Sequence, residues 1–426
     1  MNNLNIRRNI GMALLISILP IFSLLLLLFI NNKTQKLILL IILSIWYGLT
    51  FPFTNIELDS FKYAEFLIKI EYYSFELFLK EYIFGYLTAE DKLDVIQQTI
   101  SYFVVLLGGN KNILYMFFSF LFISLQIKYL SVIQINDKAK KYLLHYVVIF
   151  FIFLLCIPVF YINGFRFYFA CWFFLTCIIY YLLKEQKKYL FYLFLTPLIH
   201  YSFILLIPLI FIFLLVSNFK RDSTRQFVGR KMVLSAVSLS FFIGQYILEL
   251  LPKFIAIFSG SLASKANKYL TPEYIDFISE KSSKSNLIVL IGEYGFLYSC
   301  TLLYLYISWK KYEYIVLNRN LYKLWVFTAL IALFSFSLIN VPSMGRFLVL
   351  FQVLSLTIYY MVMVHDCTYI KYRIPWYLIF VIIFALFKFI VVLRLGIEVT
   401  GVKFFLPVFV FPFFENTSIY HFLSNL

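Results

Sequence analysis

Two arginines and one histidine carry most of the chemistry that this chain makes legible. Arg166 ends the string Tyr-Ile-Asn-Gly-Phe-Arg (161–166), between two apolar runs joined by almost no loop. A guanidinium held there could grip a phosphate through paired N–H donors. The plain alternative is an arginine snorkelling to a membrane interface. Arg346 lies in Asn-Val-Pro-Ser-Met-Gly-Arg-Phe (340–347), on a second tight turn shaped by Pro342 and Gly345. A helix starting just beyond it adds a partial positive charge for an anion. His200, in Pro-Leu-Ile-His-Tyr-Ser-Phe (197–203) with Tyr201 beside it at the turn, can take a proton from a hydroxyl near neutral pH. A packed histidine bonded to a carbonyl is its ordinary counterpart. Asp59 and Tyr63 stand four apart, on one face of a helix. They could position a sugar hydroxyl or an arginine. Lys265, Lys268 and Tyr269 form a basic face that could meet a pyrophosphate or lie over lipid headgroups.

The elements that must position these groups are membrane spans. Of 426 residues, 62% are hydrophobic and 14% charged, against about half and about a quarter in a globular domain. Stretches of about 20 apolar residues, enough to cross a bilayer, recur along the chain. They fall near 10–30, 36–52, 108–130, 143–162, 166–183, 232–251, 287–308, 322–340, 346–364 and 375–395, with two shorter pieces at 189–199 and 202–217. The expected fold is therefore an all-α polytopic membrane protein of about 12 transmembrane helices, a single integral membrane domain over 1–426. The first run reads as a retained span rather than a cleaved leader. The formal charge of +16 reads as basic cytoplasmic loops against anionic lipid, not as a nucleic-acid surface.

Lysine and arginine set the direction of the spans. Clusters at Lys33/Lys36, Lys138/Lys140/Lys141, Lys184/Lys187/Lys188, 220–231, 310–323 and Lys371/Arg373 share one side if the N-terminus faces outward. Arg7 and Arg8 alone disagree. The other side then carries two long outer loops, approximately 53–107 and 252–286, and the turns bearing Arg166 and Arg346. Basic groups both precede and follow 189–217, so that segment must cross and return as a bent pair or a re-entrant hairpin. His200 sits at its outer turn. The aromatic-rich, charged segment 55–84 reads as amphipathic helix lying on the membrane.

Absences narrow the chemistry. The sequence has no GxxxxGK[ST] loop, no HExxH and no paired Cys/His clusters for zinc, and no carboxylate run that builds a divalent-cation site. An ATP-driven transporter with its motor in the same chain is excluded. Cys156, Cys171, Cys177, Cys300 and Cys367 read as small buried hydrophobes.

The string Asn163-Gly164-Phe165-Arg166, then an apolar span, a Lys-rich turn and Ile199-His200-Tyr201-Ser202-Phe203, resembles the EpsG/Wzy group of bacterial polysaccharide polymerases. Asp59 with Tyr63, Lys265 to Tyr269, and Gly345-Arg346-Phe347 resemble that group's other elements. Phe167 departs from the pattern, standing where a polar residue is common. The resemblance implies a GT-C-like glycosyltransferase in the bacterial plasma (inner) membrane. Its donor would be a glycan on undecaprenyl pyrophosphate, and its acceptor a lipid-linked repeat unit at the outer face. It also implies a chain-length regulator as partner. Arg166 and Arg346 would neutralise the leaving pyrophosphate, so that no metal or other cofactor is needed. His200 would be the base, and Asp59, Tyr63, Asn163, Tyr201, Lys265, Lys268 and Tyr269 would bind substrate. A flippase for lipid-linked oligosaccharides would carry polar groups deep in several spans and an internal repeat. An O-antigen ligase would share the Arg/His logic. A membrane acyltransferase would need a base nearer the inner side, where only His145 and His365 stand.

Overall fold

The computed structural model describes residues 33–53, 58–85, 94–133, 143–218, 229–240, 286–339, 344–365, 376–415 and 417–424. Those residues are helical almost throughout, with one isolated antiparallel bridge between Gly401 and Ser418. Six helical stretches among them are long and apolar enough to cross a membrane: Lys111–Ile133, Phe151–Leu183, Leu287–Lys310, Arg319–Ser337, Gly345–Met363 and Tyr377–Val399. Shorter apolar helices cover Thr34–Leu49, Ile96–Leu106, Lys188–Ile199 and Tyr201–Val216. The expected span at 10–30 and the outer loop at 252–286 lie outside the described residues, as does most of 232–251.

The site is held by α1 (Lys33–Leu49), α2 (Asp59–Ile70), α3 (Ile96–Leu106), α4 (Lys111–Ile133), α5 (Leu143–Cys156) and α6 (Phe165–Leu183). Further along come α7 (Lys188–Leu193), α8 (Thr196–Ile199), α9 (Ile207–Asn218), α10 (Phe296–Lys310), α11 (Arg319–Ser337), α12 (Leu348–His365) and α13 (Trp376–Val399). Helix α1 lies so close along α4 that a Cβ on Gly48 would sit 2.3 Å from the Tyr115 carbonyl oxygen. Only glycine permits that approach. Helix α6 is almost wholly buried, packed among α4, α7, α8 and α11.

Between α5 and α6 the chain reverses. Tyr129 of α4 meets Phe153 at 6.4 Å and Trp172 at 5.4 Å between ring centroids. At 1.5 Å per residue an unbroken helix would part those two by about 28 Å. Pro158 cannot continue α5, and a 3-10 turn over Val159–Gly164 carries the chain round. The bend expected in 189–217 is also present. Helix α8 stops at His200, whose backbone is extended, and a 3-10 turn over Tyr201–Leu206 leads into α9.

These reversals separate two ends. At one, Lys128 lies over Tyr180 and Tyr189, Arg230 lies over Tyr312, and Lys323 feels Arg319 and Glu185. At the other, Phe165 stacks on Phe118 and Phe347 meets Phe167 and Phe203. These described basic groups and the candidate site therefore occupy opposite ends of α6. In 55–84 the helical expectation holds for α2 and for Phe75–Phe78 with its π-helical continuation Leu79–Phe84. Helix α2 buries Ser60, Tyr63, Leu67 and Ile70 against the bundle.

Candidate functional site

Arg166 opens α6 at the end of the 3-10 turn. Its Nε donates to the Tyr63 hydroxyl at 2.9 Å and its Nη1 to Asp94 Oδ2 at 2.8 Å. The two partners come from α2 and from the residue two before α3. Asp94 is almost fully buried, whereas the Arg166 side chain is 34% exposed. An aspartate that deep requires a paired charge and donors for its oxygens. Its Oδ1 accepts the Tyr201 backbone N–H at 3.0 Å, and next to it the Val95 N–H donates to the Leu198 carbonyl at 2.9 Å. Segment 94–95 is thus laced to segment 198–201. The residue that fixes the guanidinium also fixes the histidine turn.

Asn163 ties the turn to α2 by accepting the Ser60 N–H at 3.1 Å. Burial holds the Tyr63 hydroxyl protonated, pushed up to about 12, with the Arg166 charge working in the opposite direction. Tyr63 therefore serves Arg166 as a neutral acceptor. Two of five guanidinium N–H groups are used, and the remaining three have no protein partner among the described residues.

His200 faces this pair across Phe167. The His200 and Phe167 rings meet edge to face at 5.4 Å, and Tyr201 stacks on the imidazole at 5.1 Å. Nδ1 lies 2.8 Å from Ser202 Oγ and accepts the Ser202 backbone N–H at 3.3 Å. A backbone N–H can only donate, so Nδ1 is an acceptor and the neutral ring carries its proton on Nε2. Burial pushes the imidazole down to about 4, against the pull of Asp94; Arg166 and Arg346 add to the lowering. The ring is neutral at pH 7. Its only lone pair faces Ser202, so proton acceptance runs through that hydroxyl, while Nε2–H is a donor.

Arg346 reaches the same end from the 3-10 turn Met344–Phe347. Its guanidinium lies over the Phe167 ring at 5.9 Å, and it is exposed, with no carboxylate paired to it among the described residues. Phe347 anchors the turn against Phe167, Phe203 and Phe334. Phe167, the departure from the family pattern, is the common wall on which His200, Arg346 and Phe347 rest.

The structure thus gathers Arg166, Tyr63, Asn163, His200, Tyr201 and Arg346. Asp59 stays at the start of α2, 3.8 Å from Lys62, and touches neither arginine. Lys265, Lys268 and Tyr269 lie outside the described residues. Asp94 and Ser202 are the additions. Asp94 sits just ahead of an apolar helix, where an acidic residue reads as an end-of-helix charge. Only the fold shows that its carboxylate points elsewhere. The described residues hold no cluster of three or more metal-ligating side chains.

A sequence model of the EpsG family matches residues 35–407, which takes in every site residue above. The chain belongs to the EpsG family. No curated protein and no solved structure matches it. Membership in the EpsG family associates the chain with glycosyl transfer in polysaccharide biosynthesis and with a bacterial membrane, in accord with its six helical stretches long and apolar enough to cross one. The matched span runs from α1 through α13 and the turn after it, so the family's extent and the helical bundle coincide.

Proposed function

We propose that this chain polymerises lipid-linked polysaccharide repeat units. It would move a glycan from undecaprenyl pyrophosphate to an acceptor sugar hydroxyl at the outer face of the membrane. The observation that carries this reading is Arg166: a guanidinium fixed by Asp94 and Tyr63 on one edge and open on the other. That is what a leaving pyrophosphate needs, since preorganised donors stabilise charge as it develops. Arg346, exposed on the neighbouring turn, adds net positive charge that Arg166, neutralised by Asp94, does not. The buried imidazole beside them donates from Nε2 to an anionic oxygen, and a bound diphosphate raises its proton affinity from the low resting value. Ser202 then offers the route by which Nδ1 accepts the acceptor hydroxyl's proton. Guanidinium and imidazole donors supply the charge stabilisation here, in keeping with a metal-independent, GT-C-like transferase.

The outer-face assignment rests on the described basic groups at the far end of α6 and on the basic clusters of the sequence. One observation favours the transporter reading instead: a charged pair, Lys388 with Glu293, lies well inside the spans. Deleting the gene separates the two. Gels of the surface polysaccharide should lose long chains while single repeat units persist. Unchanged chain lengths would overturn the polymerase reading, and loss of single units as well would favour transport.

A further inference from the structure

Lys388 stands near the middle of α13, and its side chain is 2% exposed. Its Nζ donates to Oε1 of Glu293, which lies in a π-helical turn over Ile291–Gly295 at the head of α10. Glycines make the approach. A Cβ on Gly292 would come within 3.1 Å of the Phe387 carbonyl oxygen, and one on Gly295 within 2.4 Å of the Phe384 ring. Two helices are drawn together here around a charge pair. Apolar residues of similar volume hold such positions at least as well, and ionised side chains inside membrane spans mark ligand or ion sites. π-Helical turns likewise recur at functional positions.

The exposure within the pair is uneven. Glu293 is 39% exposed while the cation is buried, so the anion's position is the one a ligand can reach. The turn over Val159–Gly164 that delivers Arg166 packs on the same helix: a Cβ on Gly396 of α13 would come within 2.8 Å of the Phe160 ring. Beside the pair, α13 presents Leu386, Phe389, Ile390 and Leu393 on its exposed face.

We infer that Lys388 is the cation of a second site, one that takes the phosphate of a lipid headgroup, with Glu293 holding the anion's place until the lipid arrives. A phosphate brings more charge and more acceptor oxygens than a carboxylate, and a lysine ammonium binds it as a point charge. The exposed apolar face of α13 gives the lipid's chains a surface to follow. The phosphate chemistry stands on the pair itself; only the choice of carrier lipid over bulk phospholipid rests on the polymerase reading.

Two probes test it on the purified full-length protein: farnesyl diphosphate in detergent, and phosphatidylglycerol in nanodiscs. Glu293→Gln removes the competing anion and should bind the recognised probe several-fold tighter than wild type. The double variant Glu293→Gln/Lys388→Met leaves no stranded charge, so it is expected to fold, and it should bind at least tenfold more weakly. That pattern with farnesyl diphosphate supports the site with a carrier-type lipid as its source. The same pattern with phosphatidylglycerol alone supports it with bulk phospholipid as the source. A double variant that binds both probes as wild type does shows a structural pair and overturns the inference. Binding needs no polymerisation, so unchanged chain lengths in a deletion strain would sink the polymerase reading and leave this one standing.

Discussion

Among the described residues, two deep charge pairs face opposite ways. In Asp94–Arg166 the anion is 4% exposed and the cation 34%; in Lys388–Glu293 the cation is 2% exposed and the anion 39%. The first pair lies where three chain segments meet at one end of the bundle, and its buried carboxylate also holds the backbone of Tyr201. The second joins two spans across a glycine-lined contact. A buried charge is tolerated only when paired, so each inner charge depends on its outer partner. The first pair therefore offers a positive edge to a ligand, and the second guards a hidden cation.

The largest effect should come from reversing the first pair. Arg166→Asp with Asp94→Arg keeps opposite charges in contact but turns the negative group toward the open side. We expect the protein to accumulate in membranes and long polymer to fall at least a hundredfold. Recovery of polymer would show that only the pair's existence matters. Asp94→Asn alone should cut polymer more than tenfold and lower the thermal midpoint, because breaking a buried pair costs on the order of 3–5 kcal/mol. An unchanged midpoint would mean that Asp94 is not the anchor.

His200 offers a finer test. Glutamine places an amide near the Nε2 position and asparagine near Nδ1, so an Nε2 donor role predicts about tenfold more polymer from His200→Gln than from His200→Asn. The reverse order would assign the work to Nδ1 and Ser202. Tyr63→Phe removes one acceptor from Arg166 and should cost several-fold in polymer, since Asp94 still holds the guanidinium. A Tyr63→Phe variant as active as wild type would leave Asp94 as the sole orienting group.

The smallest effect is with pH. His200 in the unliganded fold lies near 4, below the value of about 6.5 for a free imidazole. The unfolded chain thus binds the proton more readily. Its contribution to stability is complete above about 6.5 and is lost as pH falls toward about 4. Thermal midpoints of wild type should drop relative to His200→Gln across that window and match it from pH 7 to 8.

The sequence disclosed the helical class, the turn bearing Arg166 and the bent segment around His200, because those follow from apolar run length, the near-absence of a loop at 163–166 and the basic groups flanking 189–217. It offered Asp59 and Tyr63 for a sugar hydroxyl or an arginine, and in the fold Tyr63 meets Arg166. Asp94 was not legible. Nothing in its neighbourhood distinguishes a carboxylate that leaves its own helix from one that serves it, and its two partners lie 72 and 107 residues away. The Lys388–Glu293 pair was hidden for the same reason: 95 residues separate the two charges, each set in a mainly apolar run. Asp59 drew attention through its spacing to Tyr63; in the fold it lies 3.8 Å from Lys62 at the start of α2, while Tyr63 takes the contact with Arg166.

The account turns on whether Arg166 acts as a fixed fork and not merely as a charge. Arg166→Lys keeps the charge and loses the paired N–H geometry. With protein levels matched in membranes, the polysaccharide gel of this variant should show single repeat units and no long chains. Wild-type chain lengths from Arg166→Lys would contradict phosphate recognition by the guanidinium, and with it the proposed role of the site.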